Sequence, residues 1–245
     1  MDVNFLLNVD CLVGMPTIKD KSIDLIICDP PYGCTPIGWD KIIPIETLWA
    51  EYNRIIKDNG VIILFGNEPF SSFIRTSNIQ AYKYDYKWVK PNSTTPHLAK
   101  KQPMRRYEDI MVFYNNKPTY NPQMNLGTPY KWNSKRSKGE ASNIKFESDK
   151  PIVNIGERYP TNILEFKQER GLHPTQKPVE LLEFLIKTHS NVGDVILDNC
   201  MGSGSTIIAS INTNRKYIGI EMNEDIFELA NKRISKHIEQ KGENK

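Results

Sequence analysis

One short apolar run, ended by two prolines, constrains the fold of this chain most strongly. Residues 23–28 read IDLIIC, and the following Pro30 and Pro31 cannot donate the backbone hydrogen bonds that would extend a strand. We therefore predict a buried strand that ends just before Asp29. Ligands of open α/β sheets bind at the carboxyl ends of the strands, so Asp29 and Tyr32 are candidate site residues. A plain strand-ending turn is the alternative.

Strand and helix patterns alternate along much of the chain. Apolar residues at helical spacing predict a helix over 44–57 with Pro44 in its first position, and the run 61–65 predicts the next buried strand. Further elements are expected as strands at 84–89 and 109–114, a helix from Pro178, and a strand–loop–helix–strand unit over 195–221. This alternation predicts an α/β fold with a doubly wound, mostly parallel sheet.

A last amphipathic helix is expected near the end of the sequence. Asn223 can cap its start. Its inward-facing residues are predicted to be Phe227, Ala230, Ile234 and Ile238.

The length of 245 residues, 39% of them hydrophobic, suits one α/β domain over 1–245. Residues from about 115 to 160 break the pattern, because they are rich in Asn, Lys, Ser, Gly and Pro and show little apolar periodicity. We expect a loop-rich insertion there. It is either functional or an irregular surface excursion.

Cysteine, histidine and hydropathy patterns exclude several classes of protein. Cys11, Cys28, Cys34 and Cys200 form no C-x-x-C pair, and the histidines lack H-E-x-x-H spacing, so we expect free thiols and no metal. Apolar runs fall short of the roughly 18 residues of a membrane helix, and the first residues lack the basic start of a secretory signal. We expect no membrane partner and a cytoplasmic protein.

Positive charge is concentrated between residues 83 and 106. This stretch carries seven Lys or Arg residues against one acid, Asp85, and is interleaved with aromatic residues such as Tyr86 and Trp88. Cations beside rings suit a nucleic-acid surface. A solvated strand edge guarded by lysines is an equally good interpretation.

A second candidate site lies in the loop of the unit at 195–221. Gly202 and Gly204 let backbone N–H groups approach a ligand at a helix start, and Glu221, after the next strand, can accept ribose hydroxyls. The dinucleotide fingerprint fails because Ile207 replaces its third glycine, and the phosphate-loop lysine is missing. A nucleoside ligand without a phosphate motif points to S-adenosylmethionine. The alternative is a tight turn between packed elements.

Three motifs in a fixed order resemble the β-class amino DNA methyltransferases, which act on adenine N6 or cytosine N4. They are DPPY at 29–32, HPTQKP at 173–178 and DNCMGSGST at 198–206, supported by LNVDCL at 7–12, WVKPN at 88–92 and RYEDIMVFY at 106–114. The resemblance implies a Rossmann-like methyltransferase fold with permuted motif order, in which the catalytic motif precedes the cofactor motif. The insertion at 115–160 lies outside the matched motifs, and its basic, irregular composition leads us to expect that it forms much of the target-recognition region.

The resemblance implies a cofactor site for S-adenosylmethionine. Its loop residues would be Asp198, Gly202, Ser203 and Gly204; Glu221 would hold the ribose, Asp10 would lie near the adenine, and Thr175 and Lys177 would lie near the methionine carboxylate. The sequence departs from the family at Asn199 and Cys200, where proline and phenylalanine are usual.

The resemblance also implies a catalytic role for the first motif. The Asp29 carboxylate and the Pro30 carbonyl would accept the two hydrogens of an exocyclic base amine, and Tyr32 would stack on a base flipped out of double-stranded DNA. Aspartate at position 29 favours adenine N6, whereas serine would favour cytosine N4.

Rival functions are a cytosine-N4 DNA methyltransferase, a methyltransferase for protein glutamine or RNA, and a catalytically silent DNA-binding regulator. The order of the motifs disfavours the second, and the presence of Asp29, Tyr32 and Glu221 disfavours the third. The sequence is compatible with a cognate restriction nuclease as partner, and with either a monomer or a homodimer.

Overall fold

A computed structural model describes residues 3–33, 40–132, 152–169 and 176–243. The chain divides into two compact units, one formed by Met1–Asn121 with Asn162–Lys245 and the other by Pro122–Thr161. The strands, in chain order, are β1 Phe5–Leu7, β2 Ile23–Cys28, β3 Ile56–Gly66, β4 Tyr82–Val89, β5 Tyr107–Phe113, β6 Asn125–Leu126, β7 Tyr130–Trp132, β8 Ile152–Asn154, β9 Glu157–Arg158, β10 Ile163–Glu165, β11 Val195–Asp198 and β12 Lys216–Ile220. The helices are α1 Cys11–Gly14, α2 Ile45–Ile55, α3 Phe70–Ser77, α4 Val179–His189, α5 Ser205–Asn212 and α6 Glu224–Glu243.

The larger unit is built on a sheet of eight strands in the order β1-β12-β11-β2-β3-β5-β4-β10. Among these described strands, neighbours pair in parallel except at β5, which is antiparallel to both β3 and β4. The predicted mostly parallel sheet is confirmed. Because β5 runs in reverse, its amino end lies on the same edge as the carboxyl ends of the parallel strands.

Apolar residues cover both faces of this sheet, as an apolar run in a central strand predicts. In β2, Ile26 and Cys28 belong to the cluster that packs against α2, whereas Leu25 and Ile27 belong to the cluster that packs against α4. Each such buried Ile or Leu side chain contributes roughly 1.5 to 3 kcal/mol by leaving water. Both faces therefore hold β2, and with it Asp29, in place.

The second predicted strand begins earlier than its apolar run. The α2 helix starts at Ile45, with Pro44 as the residue before it, and β3 follows at Ile56 without a loop. Ile56 pairs with Ile23, and a register shift follows before the next pair. This irregularity lets polar residues 57–59 lie within a strand, which periodicity alone cannot reveal.

The α6 helix agrees with its prediction except at one position. Asn223 caps it, since its Oδ1 accepts a hydrogen bond from the Ile226 N–H at 3.0 Å. Ala230 and Ile234 are buried, and Phe227 packs against them. The expectation for Ile238 is wrong, because this side chain lies one turn beyond the cluster and is 47% exposed.

The cysteines that the structure describes, Cys11, Cys28 and Cys200, are free thiols, and Cys34 lies outside the described residues. Within the described part of the chain, no helix has both the length and the apolar character needed to cross a bilayer.

The smaller unit, Pro122–Thr161, overlaps the insertion expected at about 115–160. It contains two ribbons, in which β6 pairs with β9 and β7 pairs with β8, both antiparallel. Several large apolar side chains are exposed on it, namely Leu126, Tyr130, Trp132, Val153, Ile155 and Tyr159. The Arg158 guanidinium lies 5.6 Å from the centre of the Tyr130 ring. The basic residues Lys135, Arg136 and Lys138 of this insertion lie outside the described residues.

Candidate active site

Four charged side chains from separate segments meet at the carboxyl edge of the sheet. Asp29 follows β2 and Lys90 follows β4. Glu108 is the second residue of the reversed β5, and Lys177 lies just before α4. The Lys177 ammonium group contacts the Asp29 carboxylate and lies 3.1 Å from Glu108 Oε1, while Lys90 Nζ lies 2.7 Å from Glu108 Oε2.

These charges are mostly shielded from water. The side chains of Glu108 and Lys177 are 4% and 10% exposed, so neither ion could remain here without its partners. Burial acts to raise the pKa of Glu108, but Lys177 and Lys90 outweigh it and hold this pKa at about 2. Burial acts to lower the pKa of Lys177, but Asp29 and Glu108 raise it above its usual value. Glu108 is therefore ionised and Lys177 protonated at neutral pH.

Tyr32 joins this cluster through its hydroxyl. The hydroxyl oxygen lies 2.5 Å from Asp29 Oδ1 and 3.0 Å from Glu108 Oε1. Burial and the two carboxylates raise the pKa of Tyr32, so its proton stays on. The ring stacks on Phe70 with the centroids 4.9 Å apart and the planes at 30°.

The backbone of this motif is fixed on both sides of Tyr32. Pro30 is buried. Gly33 has a φ of +65° and donates its N–H to Asp40 Oδ1 at 2.8 Å. A residue with a side chain is strained at this φ, so the turn requires glycine. The turn fixes the relative positions of the Asp29 carboxylate, the Pro30 carbonyl and the Tyr32 ring.

The second candidate site lies at the same edge, beyond β11. Gly202 and Gly204 have φ values of +50° and +79°, and a side chain built at Gly202 would enter open space. Glu221 follows β12 and accepts the N–H groups of Gly202 at 3.0 Å and Asn223 at 2.9 Å. Each carboxylate oxygen keeps a lone pair, so Glu221 can also accept ribose hydroxyls. An open glycine loop beside a carboxylate fits a nucleoside-containing cofactor.

Asp198 lies at the base of this loop. It accepts the N–H of Cys200 at 3.1 Å and is 4% exposed. Burial raises the pKa of the Asp198 carboxyl to about 7, in spite of hydrogen bonds from Thr206 and Cys200 that act to lower it.

Two contacts behind the loop were not found from the sequence. Arg233 on α6 donates to the Ser203 carbonyl at 2.9 Å and to Ser205 Oγ at 3.0 Å. Tyr52 donates its buried hydroxyl to Asn199 Oδ1 at 2.7 Å. The departure from the family pattern at position 199 therefore has a local partner, the Tyr52 hydroxyl.

The remaining predicted residues take different positions. Asp10 is exposed after β1 and caps α1, since its Oδ1 accepts the Leu12 N–H at 2.8 Å. Thr175 lies outside the described residues. Lys177 contacts Asp29 and Glu108, and its implied contact with a methionine carboxylate stays a prediction.

The basic stretch 83–106 contributes to the fold as well as to charge. Tyr86 and Trp88 are buried, so these two rings belong to the core and cannot stack on bases. Lys87 pairs with Asp85 and Asp109. Part of the stretch is therefore structural.

The family model described as DNA methylase, for N6 and N4 methyltransferases, matches residues 23–232. The chain is 28% identical to the DNA adenine methyltransferase YhdJ of Escherichia coli strain K12, over 94% of this chain and 82% of that protein. Among solved structures, the M1.HpyAVI–SAM complex has a TM-score of 0.64 at 25% identity and covers 94% of this chain and 98% of the other. The PvuII DNA methyltransferase, described as cytosine-N4-specific, has a TM-score of 0.69 at 14% identity. The match covers 97% of this chain and 92% of the other, and at this identity the similarity concerns the fold alone.

Proposed function

Because the chain belongs to the DNA methylase family of amino methyltransferases, which the match over residues 23–232 shows, we propose that it methylates the N6 amine of adenine in DNA. The chain is a DNA methyltransferase that uses S-adenosylmethionine. The proposal concerns the target base, the roles of individual residues and the target-recognition region.

The arrangement around Asp29 carries the proposal. An exocyclic base amine is a weak nucleophile because its lone pair is conjugated into the ring. Acceptors that draw its hydrogens out of the ring plane free that lone pair, and fixed acceptors need no reorganisation during the reaction. Asp29 can take one hydrogen and the Pro30 carbonyl the other. The contact with Lys177 keeps the Asp29 carboxylate in place.

Tyr32 would hold the target base. The amine is inaccessible within a duplex, so the base must leave the stack before it can react. One face of the Tyr32 ring packs on Phe70. The base would stack on the other face, with its amine directed to Asp29 and Pro30.

The glycine loop and Glu221 would hold the cofactor. The Glu221 carboxylate would accept the ribose hydroxyls, and the backbone at Gly202 and Gly204 would allow close approach of the methionine end. When bound, S-adenosylmethionine supplies an electrophilic methyl group. Asp29 and Pro30 orient the amine toward that group, and a single direct transfer requires no covalent enzyme intermediate.

Two observations favour adenine over cytosine. Residue 29 is aspartate, the residue that the resemblance associates with adenine. The chain is also 28% identical, over 94% of its length, to the E. coli protein named as a DNA adenine methyltransferase.

The target base can be identified directly. The chain is expressed in bacteria that lack endogenous DNA methylation, and the nucleosides of their DNA are separated by mass spectrometry. We expect N6-methyladenine. N4-methylcytosine would refute the choice of base, and the absence of both, with DNA binding intact, would support the silent regulator.

The role of Asp29 is tested by single-turnover methylation with DNA and cofactor saturating. Asp29→Ala should slow methyl transfer by about a hundredfold or more, the scale for loss of a preorganised electrostatic partner. Cofactor affinity should change little, because Glu221 and Gly202 are untouched.

The matched control for this test is Asp24→Ala. Asp24 lies near the opposite end of β2 and pairs with Lys57 at 2.7 Å, with its side chain 14% exposed. It should lower stability but leave the transfer rate of the folded protein unchanged. Near-normal transfer by folded Asp29→Ala would remove Asp29 from catalysis.

A further inference from the structure

Glu108 has no role in the mechanism above, although its side chain is 4% exposed and lies beside Tyr32 and Lys177. A buried carboxylate is costly, and one ammonium group can neutralise it. Glu108 has two, since Lys90 lies at Oε2 and Lys177 at Oε1. The ion pair between Glu108 and Lys90 therefore does not explain why Glu108 Oε1 also lies beside the Tyr32 hydroxyl.

Asp29 and Glu108 share the same two donors. Lys177 bridges both carboxylates, and the Tyr32 hydroxyl lies 2.5 Å from Asp29 Oδ1 and 3.0 Å from Glu108 Oε1. A phenol has a single hydrogen, so Tyr32 donates to one of these oxygens at a time. The shorter distance assigns that hydrogen to Asp29 in this structure.

This sharing matters when a base amine approaches Asp29. Lys177 occupies Oδ2, and the Tyr32 hydrogen occupies Oδ1. Oδ1 can accept a second hydrogen bond, but two donors on one oxygen repel each other and share its charge, so each bond is weaker than it would be alone. A hydroxyl that lost this partner without another would leave a partly buried O–H unpaired, which is unfavourable.

We infer that Glu108 is a positioning residue that takes over the Tyr32 hydroxyl hydrogen when Asp29 receives the target amine. Before binding, Tyr32 donates to Asp29 Oδ1. After binding, the amine donates to that oxygen and Tyr32 donates to Glu108 Oε1. One hydrogen bond is exchanged for another, and no covalent bond changes. This inference rests on the proposed role of Asp29.

The low pKa of Glu108, about 2, supports this role. Glu108 stays ionised at neutral pH and is always ready to accept. In this structure the Lys177 ammonium group lies closer to Asp29 than to Glu108 Oε1, which is 3.1 Å away, so Oε1 keeps a lone pair for the Tyr32 hydroxyl.

The test is a cycle of substitutions in which methyl transfer is measured in single turnover, on DNA that the unsubstituted chain methylates. Glu108→Gln removes the charged acceptor and should slow transfer about tenfold or more, because the Tyr32 hydroxyl then lacks a charged acceptor when the amine is bound. Tyr32→Phe keeps the ring and removes the hydroxyl, so no hydroxyl hydrogen needs a new acceptor when the amine binds. In the Tyr32→Phe background, Glu108→Gln should therefore slow transfer by less than about threefold.

A merely structural Glu108 predicts a different pattern. If Glu108 acts only through its charge or packing, Glu108→Gln should slow methyl transfer by the same factor with Tyr32 and with Tyr32→Phe. Equal factors, or no slowing with either residue at position 32, would overturn the inference. Asp24→Asn, which removes a charge from the lysine pair at the far end of β2, should slow neither. If Glu108→Gln fails to fold by circular dichroism, Glu108→Asp enters the same cycle under the same criteria.

Failure of the proposed function gives its own result. If the unsubstituted chain transfers no methyl group, or if Asp29→Ala transfers normally, the role of Asp29 is wrong. If Asp29→Ala is slow while the two Glu108→Gln factors are equal, only the inference about Glu108 is wrong.

Discussion

Replacing Asp198 by asparagine should stabilise the protein by an amount that grows as the pH rises from about 4 to about 7. The folded-state pKa of Asp198 is about 7, because the carboxyl is buried. In an unfolded chain an aspartate has a pKa of about 3.9. Between these values the folded state keeps its proton and the unfolded state has lost it, so the stability of the protein falls as the pH rises through this window.

The magnitude follows from the two pKa values. A pKa difference of about three corresponds to about 4 kcal/mol once both states are ionised, and we expect on the order of 2 to 4 kcal/mol at about pH 8. Asparagine has nearly the same shape and its Oδ1 can still accept the Cys200 N–H. It carries no charge, so it lacks this loss of stability. Below about pH 4 both proteins carry a neutral side chain and should be equally stable.

Urea unfolding of both proteins at several pH values between about 4 and 8 measures this effect. Asp29 and Glu221, whose charges also raise the pKa of Asp198, are present in both proteins, so they do not contribute to the difference between them directly. A difference in the free energy of unfolding that is independent of pH would refute the reasoning. A gain in stability with a loss of cofactor affinity would show that Asp198 serves the site at the expense of the fold.

Three further predictions concern other parts of the chain. Glu221→Ala should weaken S-adenosylmethionine binding by about 1 to 3 kcal/mol in calorimetry, since the ribose loses a charged acceptor, whereas the exposed Glu224→Ala should not; equal affinities would remove Glu221 from the site. Tyr52→Phe should lower the free energy of unfolding by about 1 to 3 kcal/mol in urea, because buried Asn199 Oδ1 loses its donor, and an unchanged midpoint would contradict this. Exchange of Pro122–Thr161 for the corresponding unit of a relative should change the DNA sequence that is modified, as read by sequencing with detection of modified bases; an unchanged site at an unchanged rate would refute its role in recognition.

The sequence predicts the parts of the site that follow parallel strands. Asp29 could be placed because an apolar run and two prolines mark where β2 ends, and Glu221 because it follows the strand after a glycine loop. Glu108 could not, because its contacts with Tyr32 and Lys177 join segments far apart in the chain. One signal was available: RYEDIMVFY places two acids at the start of an otherwise apolar strand, and buried acids need partners. The early start of β3 depends on the pairing of Ile56 with Ile23, which a local apolar pattern does not encode. The exposure of Ile238 depends on where the cluster around Ala230 and Ile234 ends, which helical spacing does not encode either.

The pairing of β5 with β4 determines which changes in chain length would move Glu108. Glu108 sits in register with Trp88 of β4, so its direction is set by the sheet and not by the connection between the strands. A change in the length of residues 91–106 can be absorbed in that connection, whereas a single deletion within 109–113 would shift the register and turn Glu108 to the other face. Homologous chains could thus differ freely in this loop while keeping the same carboxylate beside Tyr32.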